Sequence, residues 1–188
     1  MARLPGIART DAPEEVARVY DAATAQYGKL LEPLVVTAHN LEVFRAYVAF
    51  EMAIAEAHAL DSRLKALAQL KAAALIGCPF CIDLGSTEAR ASGLSDAELR
   101  ALATYRESDL LSPLDKAVLD YTTAMTRTPV VVSDALFAAL REHLTPAALV
   151  ELTSMIALEN YRSRFNHATG IQSQGFSHGA YCVRPENA

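Results

Sequence analysis

Apolar residues recur along the chain at three- and four-residue steps, and the breaks between these runs carry helix-capping residues. Asp11-x-x-Glu14, with Pro13 in the first turn, has the form of a capping box and predicts a helix to about Lys29. Glu32-Pro33 restarts the chain. Asn40 then caps a long helix from Leu41 to about Leu60, whose stripe of Leu41, Phe44, Val48 and Met52 reads as core. Asp61-Ser62 opens a helix in which Leu64, Leu67, Leu70 and Leu75, separated by alanines, predict close contact with neighbouring helices up to Gly77. Beyond Pro79 the pattern resumes through Ala91 to Gly93. Ser95-x-x-Glu98 caps a short helix, Ser112-Pro113 opens one to about Thr126, Ser133 one to His143, and Thr145-Pro146 a last long one that stops at Gly170. Val130-Val131-Val132 is a β-like connection too short and isolated for a sheet, and residues 171–188 read as an irregular tail. The pattern predicts an all-α protein of about eight helices. It forms a single domain over residues 1–188 with its core at about 30–170.

Composition strengthens the helical reading. Alanine (35) and leucine (24) make up almost a third of the 188 residues, against 8 glycines and 8 prolines, a mixture that favours helix over sheet. A chain of this length buries roughly 70% of its unfolded surface, so packing alone can hold the fold. With 22 acidic and 17 basic residues and no Lys/Arg cluster, the chain offers no footprint for nucleic acid. The amino terminus lacks the apolar core and cleavage site of a signal peptide. The longest charge-free apolar stretch, Ala72 to Ile82, is interrupted by Gly77 and Pro79 and falls short of the ~20 residues a bilayer span requires. A cytoplasmic location without a membrane partner is therefore expected.

In a reducing compartment, a Cys-x-x-Cys pair points to redox or metal chemistry rather than to structural stapling. Here Cys78 and Cys81 follow directly on Gly77, at the start of a new helix. Unsatisfied N–H groups and the positive end of the helix dipole favour a thiolate there, and the i, i+3 spacing brings the two sulfurs within disulfide reach. The pair can therefore shuttle between dithiol and disulfide. Two other readings stand beside this one. Both cysteines can be small apolar residues on a buried helix start. Alternatively, His178 and Cys182 can complete a four-coordinate zinc site with them. The redox reading leads and calls for no metal and no cofactor.

The run Leu64-Lys65-Ala66-Leu67-Ala68-Gln69-Leu70-Lys71-Ala72-Ala73-Ala74-Leu75-Ile76-Gly77-Cys78-Pro79-Phe80-Cys81, followed by Ala89-Arg90-Ala91-Ser92-Gly93-Leu94-Ser95, resembles the carboxymuconolactone decarboxylase family and, within it, the alkylhydroperoxidase AhpD-like branch. The resemblance spans about residues 30–170 and includes Val150-Glu151-Leu152-Thr153 and Glu159 to Asn166. It implies an all-helical fold and a homo-oligomer, trimer or hexamer. In the peroxidase branch the motif is Glu-x11-Cys-x-x-Cys-x3-His, whose carboxylate and imidazole relay a proton from the attacking thiol. Cys78 and Cys81 match the cysteines, but Ala66 and Gly85 stand at the other two positions and accept no proton.

Candidate substitutes are Asp83 and Glu88 after the pair, where acids also complement the helix dipole, and Glu159, Arg164 and His167 on nearby faces of the last helix. The dipole argument favours Cys78 as the attacking sulfur, whereas the resemblance implies Cys81, with Cys78 resolving. The expected function is a thiol-disulfide oxidoreductase that reduces a small hydroperoxide and is recharged by an external dithiol. One alternative is a lyase acting on a small lactone or carboxylic acid held by Glu159, Arg164 and His167. The other is a non-enzymatic redox-sensing oligomer.

Overall fold

Side-chain caps at the junctions marked in the sequence divide the chain into helices, and the computed structural model describes residues 2–186. Among these residues there are nine α-helices, one 3-10 helix and no strand. In chain order they are α1 (Glu14–Tyr27), α2 (Glu32–Thr37), α3 (Leu41–Glu56), α4 (Ser62–Ile76), α5 (Pro79–Ala91) and α6 (Asp96–Ala101). The 3-10 helix (Leu102–Glu107) comes next, then α7 (Pro113–Thr126), α8 (Asp134–Arg141) and α9 (Pro146–Thr169). The protein is all-α, as its periodicity predicts.

Most of the expected caps form. Asn40 accepts from the Val43 N–H at 3.0 Å, Asp61 from Arg63 at 2.8 Å, Ser133 from Leu136 at 3.2 Å and Thr145 from Ala148 at 3.2 Å. Ser95 with Glu98, and Ser112 with Asp115, make reciprocal capping boxes. Each such cap stabilises its helix by about 1 kcal/mol.

The first cap differs. Asp11 closes a turn onto the Ala8 carbonyl at 3.0 Å, and α1 starts after Pro13, whose extended backbone (ψ 151°) holds the chain outside the helix. The helix expected to reach Leu60 stops at Glu56. The Ala59 and Leu60 N–H groups instead donate to Glu151 at 2.8 and 3.0 Å, which removes them from any helical ladder.

The described residues fall into two compact units. One comprises residues 2–56 with 166–171. Val16, Tyr20, Leu34, Ala38 and Phe44 form its core, with the Tyr20 and Phe44 rings edge to face at 6.3 Å. Of the stripe predicted on α3, Phe44 is buried and Leu41 and Val48 are half-buried, but Met52 is 55% exposed. Eight residues after Phe44, at 3.6 residues per turn, Met52 has drifted about 80° off the buried face.

The other unit comprises residues 57–165 with 172–186. Its centre is α4, which packs against α5 and α7. Leu67, Leu70, Ala68, Ala72 and Ala73 have no exposed surface, and the alanines let neighbouring helices come close on several sides. Lys71 is a buried cation on this helix. Its Nζ lies 4.5 Å over the Tyr105 ring and pairs with Glu186. Among the described residues no helix is long and apolar enough to cross a membrane.

The central position of α4 makes it the sensitive element. Leu67→Ala should lower unfolding free energy by about 2–5 kcal/mol, whereas Met52→Ala should stay within about 0.5 kcal/mol in urea denaturation of the intact chain. Equal effects at the two positions would contradict the arrangement.

Candidate dithiol site

Backbone geometry at the α4–α5 junction sets the sulfur positions. Gly77 ends α4 in the left-handed region (φ 81°), and its N–H closes onto the Ala73 carbonyl at 2.8 Å. Cys78 follows as the N-cap of α5, with Pro79 in the first turn. The Cys78 Sγ accepts from the Cys81 N–H at 3.2 Å, so a thiol fills the cap role that serine fills elsewhere in this chain. Cys78 is fully buried and Cys81 is 5% exposed, and both are thiols.

Glu159, on α9, faces this pair. Its carboxyl is wholly buried and interacts with the Cys81 thiol. The Ser163 hydroxyl donates to Glu159 Oε1 at 2.7 Å and also reaches the Cys81 sulfur. Arg162 Nη1 donates to the other oxygen, Oε2, at 3.1 Å. Burial pushes the Glu159 carboxyl above its usual range, against the opposing pull of Arg162 and Ser163. The Cys81 thiol is pushed up by its hydrogen bond with Cys78, by burial and by the negative charge of Glu159. Both shifts favour the protonated forms of the thiol and the carboxyl.

The remaining sequence candidates lie elsewhere. Arg164 is exposed and donates to Asn160 Oδ1 and, at 3.2 Å, to the Thr126 carbonyl. The guanidinium on Glu159 belongs to Arg162, because three residues along a helix is about 60° from the carboxylate, whereas five is about 140°. His167 is exposed in the last turn of α9, in the stretch belonging to the first unit. Glu88 accepts from Gln69 at 3.1 Å. Ala66 is buried on α4 and Gly85 on α5, where a Cβ would make an ordinary contact of 3.4 Å with Leu70 Cδ1. Arg162 and Ser163 were not singled out from the sequence. Their i+3 and i+4 spacing from Glu159 is the signal that identifies them.

Asp83 has a different task. Its carboxylate accepts from Ser173 Oγ (2.7 Å) and from the backbone N–H groups of Gln174 (3.1 Å), Gly175 (2.7 Å), Phe176 (3.0 Å) and Ser177 (2.7 Å). The C-terminal stretch, irregular as expected, is therefore docked onto α5, and Phe176 meets Phe80 edge-on at 5.9 Å. Cys182 accepts a hydrogen bond from Ser86 at 3.9 Å. Among the described residues no three of His, Cys, Asp or Glu come together in a group that could hold a metal ion.

Comparison with known proteins adds to this geometry. The sequence model of the carboxymuconolactone decarboxylase family matches residues 42–124. An uncharacterized protein of Escherichia coli, YnjA, is 39% identical over 62% of this chain, and the match spans 64% of that relative. The uncharacterized YdfG of Bacillus subtilis is 30% identical over 59% of this chain and 76% of its own length. Among solved structures, an AhpD-core, peroxidase-related protein from Ralstonia eutropha superposes with TM-score 0.80 at 20% identity, covering 93% of this chain and 94% of its own. The debrominase Bmp8 superposes with TM-score 0.81 at 20% identity, covering 91% of each chain. The helical fold is thus AhpD-like.

Burial pushes the Asp83 carboxyl up, but the hydrogen bonds from Ser177, Ser173, Phe176 and Gly175 outweigh it and hold the group below the usual carboxylate range. A depressed carboxyl contributes stability above its unfolded pKa of about 4 and loses it as pH falls through the lower folded value. Asp83→Asn should therefore destabilise the protein by about 1–3 kcal/mol at pH 7. The difference from wild type should shrink below about pH 4, as read by thermal melts across pH. A difference that persists unchanged at low pH would contradict the anchoring role.

Proposed function

Because this chain belongs to the carboxymuconolactone decarboxylase family, whose AhpD-like helical scaffold it shares, we propose that it is a thiol-disulfide oxidoreductase that reduces small hydroperoxides through Cys78 and Cys81. The observation that carries this reading is the buried Glu159 carboxyl against the Cys81 thiol, because it supplies a proton acceptor where Ala66 and Gly85 do not. Cys81 is the attacking sulfur. Its thiolate takes the terminal peroxide oxygen, the O–O bond breaks, and the leaving alkoxide receives a proton to become an alcohol. Cys78 then attacks the Cys81 sulfenic acid, releasing water and closing the disulfide, which an external dithiol reduces.

The peroxidase-related neighbour supports this choice of oxidant, and the debrominase neighbour marks hydroperoxide preference as the finer part of the proposal. The lyase reading needs Arg164 beside Glu159, and Arg164 bonds Asn160 and Thr126 instead. The proposal places the protein in the reducing cytoplasm. It also takes the protein to be a homo-oligomer, since α3 leaves Val43 and Phe50, on one face of the helix, more than 40% exposed. Mass by light scattering should exceed that of the monomer, and Phe50→Asp should lower it.

The decisive measurement titrates thiols before and after substoichiometric hydroperoxide. Wild type should lose both site thiols and gain a Cys78–Cys81 disulfide, which Cys78→Ser and Cys81→Ser cannot form. Glu159→Gln should slow the reaction by about 10²-fold, within the range of a lost general base. A wild-type protein that keeps both thiols refutes the reading.

A further inference from the structure

Away from the dithiol, the second unit has a cavity of about 480 Å³, a volume that suits a small molecule. Its walls are the 3-10 helix, the second half of α7, the connection that follows it and the first turn of α8. None of the described lining residues belongs to α4, α5 or α9, which carry the thiols and Glu159. We propose that this cavity binds a small organic monocarboxylate, with its charged head on Arg106 and Arg127 and its apolar body against the α7–α8 connection.

Charge is the first argument. Arg106 Nη2 pairs with Asp120, whose Oδ1 also accepts from the Tyr105 hydroxyl at 2.5 Å. The Arg106 guanidinium lies 4.8 Å over the ring of Tyr105, which is buried, so the ring fixes the fork from behind before any ligand arrives. Its pairing with Asp120 uses one nitrogen, and the remaining N–H groups of the fork stay available to a second acceptor. Arg127 follows the last residue of α7 and is exposed, and among the described residues no carboxylate pairs with its guanidinium. Two guanidinium groups and one carboxylate leave a single positive charge on the lining, in a chain whose net charge is −5. One carboxylate neutralises that surplus and matches the geometry of the arginine fork. A second negative charge would meet Asp120.

Shape is the second argument. Pro129, Val131 and Leu136 form an apolar wall beside the two arginines. Val131 is 68% exposed, and a bound hydrocarbon would take that surface out of water. A bare carboxylate would leave this wall wet, and a neutral hydrocarbon would leave Arg127 unanswered. Both halves of the ligand are thus specified by the lining.

The test titrates octanoate into the full chain at about pH 8 by calorimetry, beside octanamide, acetate and octyl phosphate. Octanoate should bind saturably, with Kd on the order of 1 mM or tighter. Octanamide lacks the charge and acetate the apolar body, and each should bind about tenfold weaker or worse. Octyl phosphate, almost fully doubly charged at that pH, should bind no tighter than octanoate. Arg127→Gln and Val131→Asp alter exposed side chains, so both should keep the wild-type melting temperature while weakening octanoate about tenfold. No saturable octanoate binding overturns the site, and so does equal binding in wild type and both variants, which would place the acid elsewhere. Octanamide or octyl phosphate binding more tightly than octanoate overturns the assignment to a monocarboxylate, and acetate binding as tightly overturns the apolar half. The readouts involve neither peroxide nor thiols, so the cavity stands or falls apart from the dithiol reading.

Discussion

A carboxyl group buried without exposure next to a thiol pair is the constraint around which the second unit is arranged. Glu159 loses its hydration, and only a close set of partners makes that tolerable: Arg162 on one oxygen, Ser163 on the other and Cys81 in front. Those partners come from two helices distant in sequence. The position of α9 against the start of α5 is therefore as much an electrostatic requirement as a packing one. Shifting α9 by one residue would turn the carboxylate about 100° away from the sulfurs.

The helix start that carries the cysteines is equally determined. Gly77 lets α4 end in the left-handed region, Pro79 begins α5, and Cys78 sits between them as a cap whose sulfur already accepts a backbone N–H. Behind it, the leucines and alanines of α4 let α5 and α7 approach closely. The C-terminal stretch completes the surroundings. Asp83, two residues beyond Cys81, gathers the N–H groups of residues 174–177 onto α5, and Phe176 lies against Phe80. The acid nearest the cysteines in sequence thus organises backbone, while the acid that faces them is 78 residues away from Cys81.

Local chemistry was sufficient for much of this. The all-α class, the cap and proline signals of α4, α7, α8 and α9, and the cysteine pair at a helix start are all properties of neighbouring residues, and short-range hydrogen bonds and φ preferences decide them. Where long-range partners competed, the local signal gave way. Glu151 took the N–H groups that would have continued α3, and the Asp11 box did not form because Pro13 holds an extended backbone before α1. Met52 fits the stripe by spacing, yet the buried face of α3 is narrower than the stripe.

The sequence by itself determined the helices, their ends and the identity of the reactive pair, because each depends on residues within a turn or so of one another. Only the tertiary structure decided which acid meets which sulfur. Periodicity places Glu159, Arg162, Ser163 and Arg164 around one helix but carries no information on which neighbour lies at each face. The fold brings Glu159 and Ser163 of α9 to Cys81. The 60° step on the helix selects Arg162 rather than Arg164 as the counter-ion.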